Sequence, residues 1–197
     1  MADRETMAAY ATHAERYRKL VSDQGGNRRL DGFMARLTTG DGVLDLGCGV
    51  GDSAARMRDA GFEVSCVDAS PDMAAMALEL HGIEVRQISF DQLADEDDYE
   101  GVWASFSLLH APREDMPAHL ARIHRALKTD GILYLGLKTG DHEARDAAGR
   151  FYAYFGEEEL RRHLAAAGFR ILDVETDSVT GLLGAPEPCI HITAQKS

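Results

Sequence analysis

The chain has 197 residues, of which 45% are hydrophobic and 27% charged, as expected for one globular domain with a substantial core. Its formal net charge of −12 would repel a phosphate backbone, which argues against a nucleic-acid partner. No apolar run approaches the roughly 20 residues that cross a bilayer, and the charged start lacks the features of a signal peptide. We therefore expect a cytoplasmic protein without a membrane partner.

Compact apolar runs alternate with amphipathic stretches, which predicts a parallel sheet connected by crossover helices. The predicted helices cover residues 6–21, 30–37, 52–60, 70–81, 112–127 and 157–167. The predicted strands cover residues 43–46, 63–67, 83–87, 101–106, 132–137, 169–177 and 189–194. The connection between the last two strands is too short for a crossover helix, so this pair is predicted to be antiparallel.

These elements predict an α/β fold with a Rossmann-like, doubly wound sheet of seven strands. The sheet is expected to be mostly parallel, with an antiparallel hairpin at its carboxyl end and helices on both faces. Neither an internal repeat nor a linker divides the sequence, so we expect residues 1–197 to form a single domain.

A glycine-rich loop, in the segment VLDLGCGVGDSA, joins the first strand to the helix that follows it. Gly47, Gly49 and Gly51 allow a tight turn and a close approach of the backbone to a ligand at the amino end of a helix. The segment also satisfies the dinucleotide pattern G-x-G-x-x-A, so an NAD(P)-dependent oxidoreductase has to be considered. The loop alone therefore predicts a nucleotide-like cofactor without identifying it.

Two carboxylates near this loop favour S-adenosylmethionine (SAM). Asp45 directly precedes the glycines, where it would repel a pyrophosphate but could accept a charge-assisted hydrogen bond from an ammonium group. SAM carries an ammonium and a sulfonium, whereas NAD is anionic. Asp68, at the end of the second strand, could accept hydrogen bonds from ribose hydroxyls in either cofactor. Together the two residues favour SAM over NAD.

The chain resembles the class I SAM-dependent methyltransferases. The resemblance rests on motifs that occur in the order and spacing usual for that family: VLDLGCGVGDSA, VDASPDM, SFDQL, GVWASFSLLH and ALKTDGILYLGLK. Small bacterial enzymes of the family share the SLLH and GR-F signatures. The turn before the fifth strand reads KTDG where the family often has a Pro-Gly pair, but Asp-Gly is an equally good turn former.

The resemblance implies SAM as the cofactor, S-adenosylhomocysteine (SAH) as its product, and a set of cofactor-binding residues. It also implies that residues 1–38 form an N-terminal helical lid over a Rossmann-like core of residues 39–197. Tyr10 and Tyr17, on one face of the leading helix, could belong to this lid or could pack that helix on the core. The implied cofactor-binding residues are Tyr10, Tyr17, Asp45, Gly47, Cys48, Gly49, Gly51, Asp68, Ala69, Met73, Phe90, Asp91, Ser105 and Phe106.

The methyl acceptor should bind beyond the carboxyl ends of the fourth and fifth strands. His110 could act as a base or orient the acceptor, or it could be a structural histidine bonded to the backbone. Lys138, Arg150 and Tyr152 are candidate substrate residues, and their two cations suggest an anionic acceptor. Both cations could instead pair with neighbouring carboxylates.

The sequence thus predicts a SAM-dependent methyltransferase that acts on a small molecule. A SAM-binding protein that senses or sequesters the cofactor is an alternative from another class, and an NAD(P)-dependent oxidoreductase is a further one. The three cysteines and eight histidines show no spacing typical of a metal site, so no metal is expected. The oligomeric state is not predicted.

Overall fold

The computed structural model describes residues 3–9, 26–180 and 186–197. Residues 4–9 form a helical segment, which we call the leading segment. The helices that follow are α1 (Gly26–Met34), α2 (Asp52–Asp59), α3 (Pro71–His81), α4 (Met116–Ala126) and α5 (Glu157–Ala166). The strands are β1 (Gly42–Leu46), β2 (Glu63–Val67), β3 (Tyr99–Ser105), β4 (Leu127–Lys138), β5 (Glu143–Arg145), β6 (Phe151–Ala153), β7 (Phe169–Thr180) and β8 (Pro186–Lys196).

The main sheet has the strand order β2-β1-β3-β4-β8-β7. The strands β2, β1, β3 and β4 are parallel, whereas β8 is antiparallel to both β4 and β7. The predicted class, a mostly parallel Rossmann-like sheet with an antiparallel C-terminal hairpin, is confirmed. The carboxyl ends of β1, β2 and β3 lie at one edge of this sheet, where the loops that follow them meet.

Helices cover both faces of the sheet, as predicted. Successive side chains of the central strands point to opposite faces, and those on both faces are apolar. Val43 and Trp103 pack on one face with Leu30 and Phe33 of α1. The intervening residues of the same strands pack on the other face with α4 and α5, in a larger cluster that includes Leu44, Val102, Leu120 and Leu160. Burial of both faces explains why these strands read as nearly continuous apolar runs.

The prediction of a seven-stranded sheet was wrong, because the predicted strand 83–87 makes only one bridge, between Val67 and Arg86. Two hydrogen bonds define it, from the Arg86 amide to Cys66 O and from the Asp68 amide to Arg86 O. The segment therefore runs beside the edge strand β2 without a continuous ladder. The side chain of Arg86 is bound to Asp95 at a distance of 2.9 Å.

Other boundaries also differ from the prediction. A 3-10 turn over Arg113–Asp115 precedes α4, which therefore begins at Met116 instead of residue 112. The predicted turn at residues 129–131 lies within β4, as an irregularity between the pairs Tyr99–Leu127 and Gly101–Ile132. The segment between β4 and α5, where neither a helix nor a strand was predicted, contains the short hairpin β5–β6.

In the part of the chain that the structure describes, no helix is both long and apolar enough to span a membrane.

Candidate functional site

The glycine-rich loop between β1 and α2 forms one side of a cleft at the carboxyl edge of the sheet. The amides of Gly47 and Cys48 both donate to Val67 O, at 2.7 and 3.0 Å, which ties the loop to β2. Gly47 has a φ of +78°, and a Cβ at this position would lie 2.3 Å from the Cβ of Ser107. Only glycine fits here, because any side chain would meet both the backbone strain and Ser107.

Asp68 follows β2 and turns its carboxylate into the cleft. The Gly49 amide donates to Oδ2 at 2.9 Å, and the Ser70 amide donates to Oδ1 at 2.8 Å. Burial raises the pKa of Asp68, whereas these two amides oppose that rise. The carboxylate is thus held in a fixed orientation, and each oxygen retains capacity to accept from a ligand hydroxyl.

Asp45 lies behind the glycine loop, where its side chain is 3% exposed. Its Oδ2 atom is buried and has no hydrogen-bond partner among the described residues. Burial, and secondly the charge of Asp68, raise the pKa of Asp45 to about 8, although the Ala54 amide opposes the rise. A buried carboxylate with an unsatisfied oxygen is costly without a nearby cation, so the site fits a positively charged ligand.

The cleft is open to solvent, and the space between its walls, with the open solvent at its mouth included, is about 850 Å³. Its lining includes four carboxylates, and the described lining residues include neither lysine nor arginine. The carboxylates are those of Asp3, Asp68, Asp91 and Asp115. A hydrogen bond from the Ser89 hydroxyl holds the pKa of Asp91 below its usual value. Arg145 pairs with Asp3, so the carboxylates of Asp68, Asp91 and Asp115 give the described lining its negative potential, which attracts cations and repels anions.

Most of the described cofactor candidates meet in this cleft. It is lined by Gly47, Gly49, Asp68, Ala69, Met73, Phe90, Asp91 and Phe106. Four other candidates lie outside the lining: Asp45, Cys48, Gly51 and Ser105. Gly51, which directly precedes α2, packs against Ala77 of α3, and Cys48 packs beside Cys66. Tyr10 and Tyr17 lie outside the described residues.

Four buried polar residues that line the cleft were not among the predicted site residues: Thr6, Ser70, Ser107 and His119. Ser107 and His119 are 6% and 5% exposed, and neither Ser107 Oγ nor His119 Nδ1 has a hydrogen-bond partner among the described residues. Ser107 was missed because the family resemblance implied Ser105 and Phe106, and the φ of +53° at Phe106 is a backbone conformation that strand periodicity does not reveal. No local pattern indicated His119, which reaches the cleft from α4 and packs edge-on against Phe90.

His110 lines the cleft at the end of a 3-10 turn that follows β3. Its Nδ1 lies 2.7 Å from the carbonyl oxygen of Phe151. A carbonyl only accepts, so Nδ1 carries the proton and Nε2 is the basic nitrogen. Burial lowers the pKa of His110 to about 4, although the Phe151 carbonyl opposes this change. The imidazole is therefore neutral near pH 7.

The other substrate candidates lie beside His110 without lining the cleft. Lys138 is 5% exposed, binds Glu187 Oε2 at 2.7 Å and lies 3.4 Å above the centre of the Tyr152 ring. Arg150 is 3% exposed and donates to Asp146 Oδ2 from Nε and Nη2, at 2.9 and 2.6 Å. The Tyr152 ring also contacts His110, with centroids 4.9 Å apart. Both cations are thus neutralised by carboxylates of this chain.

Within residues 3–9, 26–180 and 186–197, no group of His, Cys, Asp and Glu side chains is arranged to hold a metal ion.

Comparison with known proteins gives results consistent with this site. A family model described as a methyltransferase domain matches residues 43–131. A ubiquinone biosynthesis O-methyltransferase from Xanthomonas oryzae pv. oryzae is 30% identical over 182 residues, which cover 80% of this chain and 73% of the relative. An uncharacterized methyltransferase from Staphylococcus carnosus is 29% identical over 93 residues, and this match spans only 45% of that relative's length.

Among solved structures, the chain is similar to 1,6-didemethyltoxoflavin-N1-methyltransferase from Burkholderia thailandensis. The TM-score is 0.77 and the sequence identity 25%, over 98% of this chain and 88% of the other. That structure contains bound 1,6-didemethyltoxoflavin and SAH.

Proposed function

This chain belongs to the class I SAM-dependent methyltransferases, and we propose that it methylates a small, neutral acceptor bound beside His110. Bound SAM would supply an electrophilic methyl group, which the acceptor's lone pair takes as the sulfur–carbon bond breaks and neutral SAH leaves. The observation that carries the proposal is the acidic cleft, which combines an unsatisfied buried Asp45 with carboxylates along its lining. The protein's task is then to align the two reactants and exclude water.

The residues of the cleft fit SAM in three ways. The field of Asp45, acting across the glycine loop, favours the ammonium group of the methionine moiety. Asp68 is fixed by two amides and offers acceptors for the ribose hydroxyls. Met73, Ala69 and Phe90 supply apolar surface for the adenine, with Asp91 at its edge. The same carboxylates oppose the pyrophosphate of NAD(P), so the geometry does not favour the oxidoreductase alternative.

The position of the leading segment supports the proposal that residues 1–38 form a lid over the core. Asp3, Thr6 and Met7 line the cleft, and Asp3 binds Arg145 of β5 through both guanidinium Nη atoms, at 2.9 and 2.8 Å. A cover of this kind would exclude water from the transfer step.

We assign His110 the role of proton acceptor. A neutral imidazole with a low pKa is a weak base, but the acceptor's proton becomes strongly acidic as its oxygen or nitrogen bonds to the methyl carbon. Nε2 can therefore take the proton during transfer, while Nδ1–H remains bound to Phe151 O.

The contacts of Lys138 and Arg150 do not support the anionic acceptor that the sequence suggested. Each cation is paired with a carboxylate of this chain, Glu187 or Asp146, and neither lines the cleft. An acceptor carboxylate would enter a cleft whose described lining also carries the carboxylates of Asp68, Asp91 and Asp115. We therefore propose a neutral acceptor with an ionisable O–H or N–H group, such as a phenol or a nitrogen heteroaromatic.

A screen with methyl-labelled SAM tests this function. The panel pairs neutral phenols, catechols and nitrogen heteroaromatics with carboxylated analogues of each. We expect label transfer to members of the neutral set and at least about tenfold lower kcat/KM for the carboxylated partner of each active compound, as expected for roughly 1.4 kcal/mol of repulsion. Equal or faster transfer to the carboxylated partners would contradict a neutral acceptor, and SAH binding without transfer to any compound would favour a sensor.

His110→Gln should lower kcat for the best acceptor by about 10- to 100-fold, because the amide cannot take a proton. The affinity for SAH should remain within about threefold of wild type, since His110 is assigned to the acceptor. His124→Gln is the matched control, because His124 packs against Phe169, away from the cleft. A rate unchanged by His110→Gln would leave this histidine with a structural role only.

The pH dependence of SAM binding should follow Asp45 and not His110. Asp45 is largely protonated below its pKa of about 8 in the free protein, and a nearby ammonium favours its ionised form. The affinity for SAH should therefore fall as the pH is lowered from 8 to 6, by up to about tenfold per pH unit. Since the pKa of His110 is about 4, the ratio of kcat at these two pH values at saturating SAM should stay near one. Titrations of SAH binding across this range, with wild type and Asp45→Asn, measure the effect.

A further inference from the structure

The backbone of one residue, Phe151 of β6, joins the leading segment to His110. Its amide donates to Thr6 Oγ1 at 2.8 Å, and its carbonyl accepts from His110 Nδ1 at 2.7 Å. Thr6 and His110 are more than a hundred residues apart in the chain, yet the backbone of Phe151 is hydrogen-bonded to both side chains. The orientation of the imidazole is thereby linked to the docking of the leading segment.

Thr6 itself is firmly held. Its side chain is buried, at 4% exposure, and its hydroxyl donates to Asp3 Oδ1 at 2.6 Å. The Thr6 amide donates to the same oxygen at 2.8 Å, so Asp3 caps the leading segment. Asp3 is bound in turn by Arg145 of β5, and this guanidinium holds the pKa of Asp3 well below its usual value. The leading segment is therefore fastened to both strands of the β5–β6 hairpin.

We propose that Thr6 is a positioning residue for His110, which it orients through the backbone of Phe151. The hydroxyl holds the Phe151 amide, so that the carbonyl of the same residue stays aimed at Nδ1. That carbonyl selects the tautomer in which Nε2 is basic. The inference rests on the proposed function, because it gives the leading segment a part in preparing the histidine for the acceptor.

Replacement of the Thr6 hydroxyl should change the tautomer of the His110 imidazole. In Thr6→Val the side chain keeps its volume, but the Phe151 amide loses its acceptor, and the end of β6 is free to shift. Without a fixed carbonyl, His110 should exchange between its two neutral tautomers. Thr6→Ser keeps the hydroxyl and should behave as wild type.

The test is nitrogen-15 NMR of the histidines in the full chain. Thr139→Val is the matched control, because the buried Thr139 hydroxyl has no hydrogen-bond partner among the described residues. We expect His110 to be protonated at Nδ1 in wild type, Thr6→Ser and Thr139→Val. In Thr6→Val we expect mixed tautomers, an apparent pKa below the wild-type value of about 4 because the Phe151 carbonyl no longer opposes the effect of burial, and a kcat lowered about tenfold with the SAH affinity kept.

An unchanged His110 tautomer and pKa in folded Thr6→Val would overturn the inference. If that variant does not fold, Arg145→Gln loosens the same contact from the hairpin side and must shift the His110 signals in the same direction. Should the signals shift in Thr6→Val while His110→Gln leaves the methyl-transfer rate unchanged, the positioning stands and the proposed role of His110 fails. The two failures are thus distinguishable.

Discussion

Gly47→Ala should weaken SAH binding by at least about 100-fold. The added Cβ would lie 2.3 Å from the Cβ of Ser107, on a backbone with a φ of +78°. The left-handed conformation alone costs roughly 1–2 kcal/mol for a residue with a side chain. The clash must in addition displace the glycine loop or Ser107, and both line the cleft. Isothermal titration with SAH measures the loss, and a thermal melt shows whether the variant remains folded.

Gly40→Ala is the matched control for this substitution. Gly40 also has a positive φ, of +96°, but a Cβ there would meet nothing within 4 Å. The Gly40→Ala variant should lose a similar amount of folding free energy through backbone strain, and its SAH affinity should stay within about threefold of wild type. The double variant Gly47→Ala, Ser107→Gly removes the clash and should regain part of the affinity. Equal affinities for Gly47→Ala and wild type would mean that the cofactor does not depend on this loop.

Asp45→Asn should lower SAH affinity by about 10- to 100-fold without destabilising the free protein. The amide keeps the shape of the side chain but removes the charge that favours the ligand's ammonium group, a loss of roughly 1.5–3 kcal/mol. Isothermal titration and chemical unfolding of the same preparations measure both quantities. Asp59→Asn, an exposed change on α2 with the same change in net charge, should alter neither.

The stability of Asp45→Asn relative to wild type should depend on pH with a defined sign. The folded-state pKa of Asp45, about 8, lies above the unfolded value of 3.8, so the folded protein binds the extra proton between these values. The stability of the wild type therefore decreases as the pH rises through this window. The Asn variant does not show this decrease, because its amide does not titrate. Its relative stability should increase between about pH 5 and pH 8. A relative stability that instead decreases with pH would contradict a raised pKa at Asp45.

Much of the fold could be predicted because its signals are local. The buried runs around Leu44 and Leu133 alternate with amphipathic helices, and Ser70 caps α3, accepting from the Met73 amide at 3.3 Å. Two features could not be predicted this way. The segment around Arg86 has the composition of a strand, but whether an edge segment forms a ladder depends on tertiary pairing. The β5–β6 hairpin has only three residues per strand, too few for a clear period.

The candidate site was predictable where it follows a motif and unpredictable where distant segments meet. The glycines and Asp68 belong to one strand–loop–helix unit and the strand after it, so their spacing places them together. Thr6, Ser107 and His119 reach the cleft through packing of separate elements and, at Phe106, through a backbone conformation that sequence periodicity does not reveal. Lys138 and Arg150 were predicted as substrate residues, with pairing to neighbouring carboxylates as the alternative. The structure pairs Arg150 with the nearby Asp146, whereas the partner of Lys138, Glu187, is distant in the sequence and could not be found from it.

Isothermal titration of the wild-type protein with SAH, near pH 7 in two buffers of different ionisation enthalpy, tests the central claim most directly. That claim is that an acidic cleft with a protonated Asp45 receives a cofactor whose methionine moiety carries an ammonium group, which SAM and SAH share. We predict micromolar binding in a one-to-one ratio and release of a fraction of a proton, because the ligand's ammonium lowers the raised pKa of Asp45. Absence of SAH binding, together with saturation by NADH, would contradict the account.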